Sequence, residues 1–477
     1  MKILLVRPHL YLTIAKRFHA FLRLEPLDLE LTAAGVPAGH EVHILDLTLE
    51  RNPVRAFDKK IASFSPDLLG FGGYSSQAQH VKQLAMRAKA ALPDILIVAG
   101  GVHATIAPED FKQSESFDAV IRGDGVSAME QLVNTLASGE PLPESEYIIP
   151  IRSENFDALT AAPPPCLNER CLKTRPRRDL INPENYFCVC GGARGERLKT
   201  LFPPVASMRT SVGCPHRCSF CVVHFLANGK YLQRAPEEVV DEIESLEQEH
   251  IYFVDDEMFI NPKRAQAIAE LLLSRGVKKK YISWARSDTI CADPEVFKLW
   301  KQAGLETLYV GLESLEENYL QDYNKGVSPS VNRRAVEVLR ELDIGLHAAF
   351  IVNPDFAAQD FINLRKSMNF AAPAEITFTV LSPSPGTAMF EENKDRFICD
   401  DPYLFYDCMH TLLPTRLPLN QFYRYFSLLY LFAFRQNPWR AKKIKVPLRD
   451  LLRLIAGGCR CGWTLRHIYK DYDRRLW

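Results

Sequence analysis

GCPHRCSFC, residues 213–221, carries Cys214, Cys218 and Cys221 in a Cys-x3-Cys-x2-Cys run. Three thiolates at this spacing can each take one iron of a four-iron cluster. Such clusters normally bind four thiolates, so one iron is left without a protein ligand. An open coordination position points to chemistry rather than to storage or simple electron transfer. A zinc site would favour paired Cys-x2-Cys arms, and the second arm is missing.

Downstream of this run, strand-like and helix-like segments alternate. IYFVDDEMF (251–259), YISWARSD (281–288), TLYVGLES (307–314), LHAAFIVNP (346–354) and EITFTVLSPSPGT (375–387) read as strands, with helical patterns between them. Six repeats, counting SMRTSVG before the cysteines, predict a partial (β/α)6 barrel. Functional groups in such barrels sit at the carboxyl ends of strands. Asp255, Arg286, Asp288, Glu313 and Ser314 all end strands in this reading.

Upstream, KILLVRP (2–8), EVHILDL (41–47), DLLGFGGYSS (67–76), DILIVAGGVHAT (94–105) and DAVIRGDG (118–125) read as strands between helical stretches. That alternation predicts an α/β fold with a doubly wound parallel sheet, which binds ligands outside its strand carboxyl ends. Ser75, Ser76, Gly100, Gly101, His103, Thr105 and Gly123 stand at those ends. The expected domains are 1–140, a proline-rich linker at 141–205, the barrel at 206–395 and a helical segment at 396–477. Cys166, Cys171, Cys188 and Cys190 fall in the linker at spacings that fit no ligand pattern, and read as ordinary thiols. The apolar run Tyr425–Phe434 is too short to cross a bilayer. It reads as a packing helix, and more sharply as a greasy lid or a surface that leans on a membrane.

Lys+Arg and Asp+Glu both number 58, so composition gives no support for a nucleic-acid partner. Twelve cysteines and a strand-like N-terminus, MKILLVRPHL, without a secretory pattern predict a reducing, cytoplasmic setting.

The cysteine run with Phe220 before its last member resembles the radical S-adenosylmethionine (SAM) superfamily. The first domain resembles the cobalamin-binding domain that precedes many of its members. The resemblance covers about residues 1–390. It implies a [4Fe-4S] cluster on Cys214, Cys218 and Cys221, and SAM between Glu313, Arg286 and Asp288. It also implies a corrinoid flanked by Ser75, Ser76, Gly100, Gly101, His103 and Thr105. Arg7-Pro8-His9-Leu10 stands where some cobalamin domains carry Asp-x-His-x-x-Gly, so His9 is not expected to ligate cobalt. The run 381–387, LSPSPGT, is similar to the Pro-x-Pro-Gly-Thr turn of cobalamin-dependent members, whereas 350–356 departs from the glycine-rich form of its strand. The family implies methyl transfer from SAM via methylcobalamin to an unactivated carbon, with a reducing partner such as flavodoxin or ferredoxin. Ring contraction, cyclisation or oxidation without methyl transfer is the alternative, as is a peptide, antibiotic precursor or phosphinate as methyl acceptor. LPTRLP (413–418) and the tail LRHIYKDYDRR are similar to hopanoid C-3 methylases, which implies a polycyclic lipid substrate and a peripheral contact with the inner membrane.

Overall fold

The computed structural model describes residues 1–10, 12–165, 168–189, 197–373, 375–435 and 445–473. Cys166 and Cys190 lie outside them.

Six strands form the first sheet: β1 (Lys2–Arg7), β2 (Glu41–Asp46), β3 (Leu68–Gly72), β4 (Leu96–Gly100), β5 (Ala119–Ile121) and β6 (Ile148–Pro150). Their order is β2-β1-β3-β4-β5-β6, parallel except for β6. The order reverses between β1 and β3, the crevice where doubly wound sheets bind ligands. Helices cover both faces. On one, α2 (Leu27–Ala34) and α6 (Gly125–Ala137) pack on Ile3, Leu5 and Val98. On the other, α3 (Pro53–Phe64) and α4 (Ala78–Ala91) pack on Leu4, Val6 and Phe71. The sheet runs past the expected boundary at 140, because Ile148 and Ile149 bury completely when β6 pairs with β5.

The second sheet is β12-β11-β10-β9-β8-β7, all parallel: β7 (Val205–Met208), β8 (His250–Phe253), β9 (Lys280–Ala285), β10 (Leu305–Glu313), β11 (Gly345–Val352) and β12 (Glu375–Val380). This is the expected half-barrel. Its outer helices open on the same local signal. Asn261-Pro262 starts α8 (Pro262–Ser274), Asp293-Pro294 starts α9 (Pro294–Ala303) and Ser328-Pro329 starts α10 (Pro329–Glu341); each polar side chain accepts a backbone N–H of the first turn. Before them, α7 (Pro236–Ser245) also begins on proline. Trp300 of α9 is fully buried, and its indole donates to the Ala265 carbonyl at 2.9 Å; burying it contributes about 2–3 kcal/mol. Along β10, Leu308, Val310 and Leu312 face this helical core, while Tyr309 and Glu313 face the lumen.

A half-barrel has two open edges, and unpaired strand edges invite wrong pairing. Here β12 is capped. Tyr430 of α12 (Leu419–Arg435) donates its hydroxyl to the Phe378 carbonyl at 2.7 Å and accepts the Phe378 N–H at 3.1 Å. Phe422, Tyr423 and Phe426 of the same helix enter the barrel core. Aromatic residues from 422 to 430 therefore pack, as the packing-helix reading expects. The last long helix, α13 (Leu448–Arg466), lies against α12 and against α1 (Thr13–Phe18). Near the amino terminus, Leu12 and Ile14 join the barrel core rather than the first sheet, and Leu22–Arg23 pairs with Phe187–Cys188. The expected linker is thus stitched to both domains.

His410 is fully buried between Asp407 (3.0 Å) and Asp471 (3.4 Å). Burial opposes its charge, but the two carboxylates outweigh burial and raise its pKa to about 9. A folded pKa above the unfolded value of about 6.5 gives stability that is complete below that pH and lost as pH rises through 9. Urea unfolding should therefore cost about 2–3 kcal/mol less at alkaline pH than at pH 6. His410→Gln should flatten that dependence.

Candidate active site

The cysteine loop is held from behind by two aspartates. Asp255 accepts the Thr210 N–H (3.1 Å), the Thr210 hydroxyl (2.7 Å) and the Ser211 hydroxyl (2.5 Å). Asp256 accepts the Gly213 N–H at 2.8 Å. Gly213 itself has φ +89°, and a Cβ there would stand 2.1 Å from the Lys230 carbonyl oxygen, so only glycine fits before Cys214. Asp255, at the end of its strand, therefore has its carboxylate engaged by the cysteine loop. Cys214, Cys218 and Cys221 are half-buried free thiols in one loop. The Arg286 guanidinium lies 3.7 Å from the Cys218 sulfur, a counter-charge suited to a thiolate. Among the described residues no three His, Cys, Asp or Glu side chains converge as on a single ion. A cubane asks for something else, one thiolate on each iron, and three thiols carried by one short loop beside a cation suit that donor set.

Beside the loop, Arg286 makes a two-pronged pair with Asp288 (2.9 and 3.0 Å) and donates to the Lys325 carbonyl at 2.7 Å. The Lys325 ammonium in turn meets Glu313 at 2.8 Å, with both side chains almost wholly buried. Lys325 thus ties together the two residues expected to contact SAM. Glu313 sits at φ +56°, where β10 slips register against β11. Strain of that kind in a non-glycine residue collects at functional sites. Ser314 accepts the Glu316 N–H at 3.0 Å and turns the chain after Glu313. Glu257 accepts the Arg286 N–H at 2.6 Å, and burial pushes its carboxyl up to about 7. Lys325 and Glu257 were not legible as site residues. Lys325, between Asn324 and Gly326, reads as a solvated turn, and Glu257 as the third acid in a row.

On the first domain, a cavity opens between the sheet and helices α2 and α6. Leu29, Thr32, Gly72, Gly100, Gly101 and Gly125 are in its wall, and so are Gly123 and Arg209. The glycines leave a cradle: a Cβ on Gly72 would stand 2.8 Å from Leu29, and one on Gly125 2.7 Å from the Thr32 hydroxyl. Flat ring systems fit such a slot, and a wall of glycines and aliphatic side chains with Thr32 and Arg209 among its polar points suits the nucleotide tail of a corrinoid. Ser75, Ser76, His103 and Thr105 are buried outside this lining. His103 spends one ring nitrogen on Ser75 (3.1 Å) and the other on Asp110 (2.9 Å). Thr105 donates to the Gly101 carbonyl and accepts the Gly123 N–H, tying two glycine turns together. Ser75, His103 and Thr105 thus brace the turns beside the slot rather than form its wall. His9 packs at a tilt against His80, with ring centroids 3.7 Å apart.

Arg209 belongs to the barrel, five residues before Cys214, yet lines the first domain's slot. The short helix Gly101–Ile106 lies against Val223–Leu226, just after Cys221. Gly386 of the LSPSPGT turn closes on Val222 and Phe225. Tyr74 exposes 61% of its surface, yet burial raises its phenol, with Asp28, Arg7 and Asp256 near it. Burial and Asp407 likewise push the Cys408 thiol up to about 12. Burial also raises Tyr406, which neighbours Cys408 and Cys221. None of these three was singled out from sequence.

Residues 208–366 match the model of the radical SAM superfamily, and residues 19–133 that of the B12 binding domain. The hopanoid C-3 methylase of Methylococcus capsulatus is 30% identical over 463 residues, covering 96% of this chain and 83% of that one. An anaerobic magnesium-protoporphyrin IX monomethyl ester cyclase of Cereibacter sphaeroides is 26% identical, covering 84% of this chain and 66% of that one. The fold matches that of the radical SAM methyltransferase TsrM from Kitasatospora setae, solved with cobalamin and a [4Fe-4S] cluster. Its TM-score is 0.62 at 16% identity, with 94% and 91% of the two chains covered. The chain belongs to the cobalamin-binding radical SAM enzymes, and its cofactors are a [4Fe-4S] cluster, SAM and cobalamin.

Proposed function

We propose that this enzyme moves a methyl group from SAM to an unactivated carbon of a small molecule, and that the acceptor is a polycyclic isoprenoid lipid of the hopanoid class. The observation that carries the reading is Arg209, a barrel residue in the wall of the glycine slot, because methyl transfer to a substrate radical needs both cofactors at one pocket. Bound in their sites, the cluster and SAM supply hydrogen abstraction and the cobalamin supplies the methyl group. Cys214, Cys218 and Cys221 hold the cluster. Arg286, oriented by Asp288 and by the Glu257 carboxylate on its own N–H, sets a fixed positive charge between the cysteine loop and the SAM carboxylate. Glu313, steadied by Lys325, and Ser314 complete that side. Gly100, Gly101 and Gly123 seat the corrinoid tail.

The lipid class is supported by the relative's identity and by an aromatic lumen, where the Trp284 and Tyr309 rings meet at a tilt with centroids 3.8 Å apart. Among the described residues no helix is long and apolar enough to cross a membrane. A lipid acceptor therefore calls for a peripheral contact with the inner membrane from the cytoplasmic side, and the reaction calls for a flavodoxin- or ferredoxin-type reductant. Mass spectrometry of the product formed from a hopanoid with SAM, cobalamin and reductant tests the reading. A gain of one methylene unit is expected. Turnover that leaves the carbon count unchanged would overturn methylation in favour of ring-forming or oxidative chemistry.

A further inference from the structure

Helix α13 has three faces. Leu454, Cys461 and Leu465 are buried against the barrel's helical layer. Leu448, Leu452, Ile455, Cys459 and Trp463, spaced four, three, four and four residues apart, form a single stripe on the outside. Leu448 and Trp463 each expose 69% of their surface and Leu452 57%. Four of the eleven exposed large hydrophobic residues described lie on this one helix, which scattered surface residues would not produce. Arginines flank the stripe. Arg449 and Arg460 are exposed beside it and Arg466 ends it. The helix carries four arginines and one aspartate, and that aspartate, Asp450, is turned inward onto Thr200 and Leu201. Arg453 is spent on the ring of Phe202, 3.9 Å away.

A long apolar stripe with a terminal tryptophan and a cationic flank suits the boundary between lipid headgroups and acyl chains. We propose that the outer face of α13 seats the protein on an anionic bilayer. Leu448, Leu452, Ile455 and Trp463 enter the interface, and Arg449, Arg460 and Arg466 meet phosphates. The surface differs from the aromatic helix α12, whose Phe422, Tyr423, Phe426 and Leu429 are buried in packing. The proposal rests on the membrane-facing part of the reading above and gives it a location.

The test is co-sedimentation of the full chain with vesicles. One set is phosphatidylcholine, the other phosphatidylcholine with phosphatidylglycerol. The native chain should pellet with the anionic vesicles, less with the neutral ones, and less again at high salt. Leu452→Glu with Trp463→Glu should weaken binding by about tenfold or more. Arg449→Gln with Arg460→Gln should remove the preference for anionic lipid. Retained cobalamin binding checks that the variants fold. Native protein that stays in the supernatant of both vesicle sets overturns the proposal, as does a double glutamate variant that binds equally well. A native dimer that the glutamates convert to monomer also overturns it, because a second copy then covers the face. Methylation of detergent-dispersed lipid needs no docking, so the substrate reading and the docking surface can fail separately.

Discussion

Replacing Cys214, Cys218 and Cys221 together by alanine should abolish the visible absorbance of the cluster and all formation of 5′-deoxyadenosine from SAM. Cobalamin binding should survive. The reason is spatial: the thiols sit in a loop held by Asp255 and Asp256 of the barrel, whereas the glycine slot is built on β3, β4 and β5 of the other sheet. The loop stays shaped by Gly213 and its hydrogen bonds when the sulfurs are gone. Half-buried thiols contribute little to the core, so the protein should remain folded. A full four-iron signal in the triple variant would contradict the assignment and redirect it to the linker cysteines. Of these, Cys171 packs with Leu31 and Val126, and Cys188 with Val205 and Tyr252, in separate buried clusters.

The converse separation is expected of Gly100→Leu. Gly100 has an ordinary extended backbone, φ −136° and ψ −169°. A Cβ there would sit 3.6 Å from the Phe71 carbonyl oxygen, an ordinary contact. The backbone therefore accepts a side chain, and leucine grows into the slot that Gly100 lines. Cobalamin affinity should fall on the order of 100-fold, as about 3 kcal/mol of overpacking implies. Iron content should be unchanged. Gly100→Ala should be much milder. Gly101 is no substitute for this test: at φ +85°, a Cβ on it would stand 2.6 Å from the Gly73 nitrogen, and the turn itself would break. Unaltered cobalamin titration of Gly100→Leu would place the corrinoid elsewhere.

Both parallel sheets and the cysteine loop were legible in the sequence because each rests on local signals: apolar runs, Pro-capped helices and one short motif. That Arg286, Asp288 and Glu313 come together beside the cysteine loop was foreshadowed by their places at strand ends. What sequence did not reveal depends on tertiary placement. Lys325 becomes a site residue only when the loop after β10 folds back to set its ammonium on Glu313. Nor did sequence show that Ser75 and Asp110 take both nitrogens of His103. Strand β6 was missed because EYIIP is too short a run to separate from the proline-rich stretch around it.

The central claim is that corrinoid and cluster face one chamber, and electron paramagnetic resonance tests it most directly. The enzyme would be loaded with cob(II)alamin and its cluster reduced. Dipolar coupling falls with the cube of distance, so two spins facing one substrate pocket must perturb each other. The cob(II)alamin signal should be broadened or split when the cluster is reduced, and should revert in the Cys214/Cys218/Cys221 triple alanine variant. A cob(II)alamin spectrum indifferent to the oxidation state of the cluster would contradict the shared chamber.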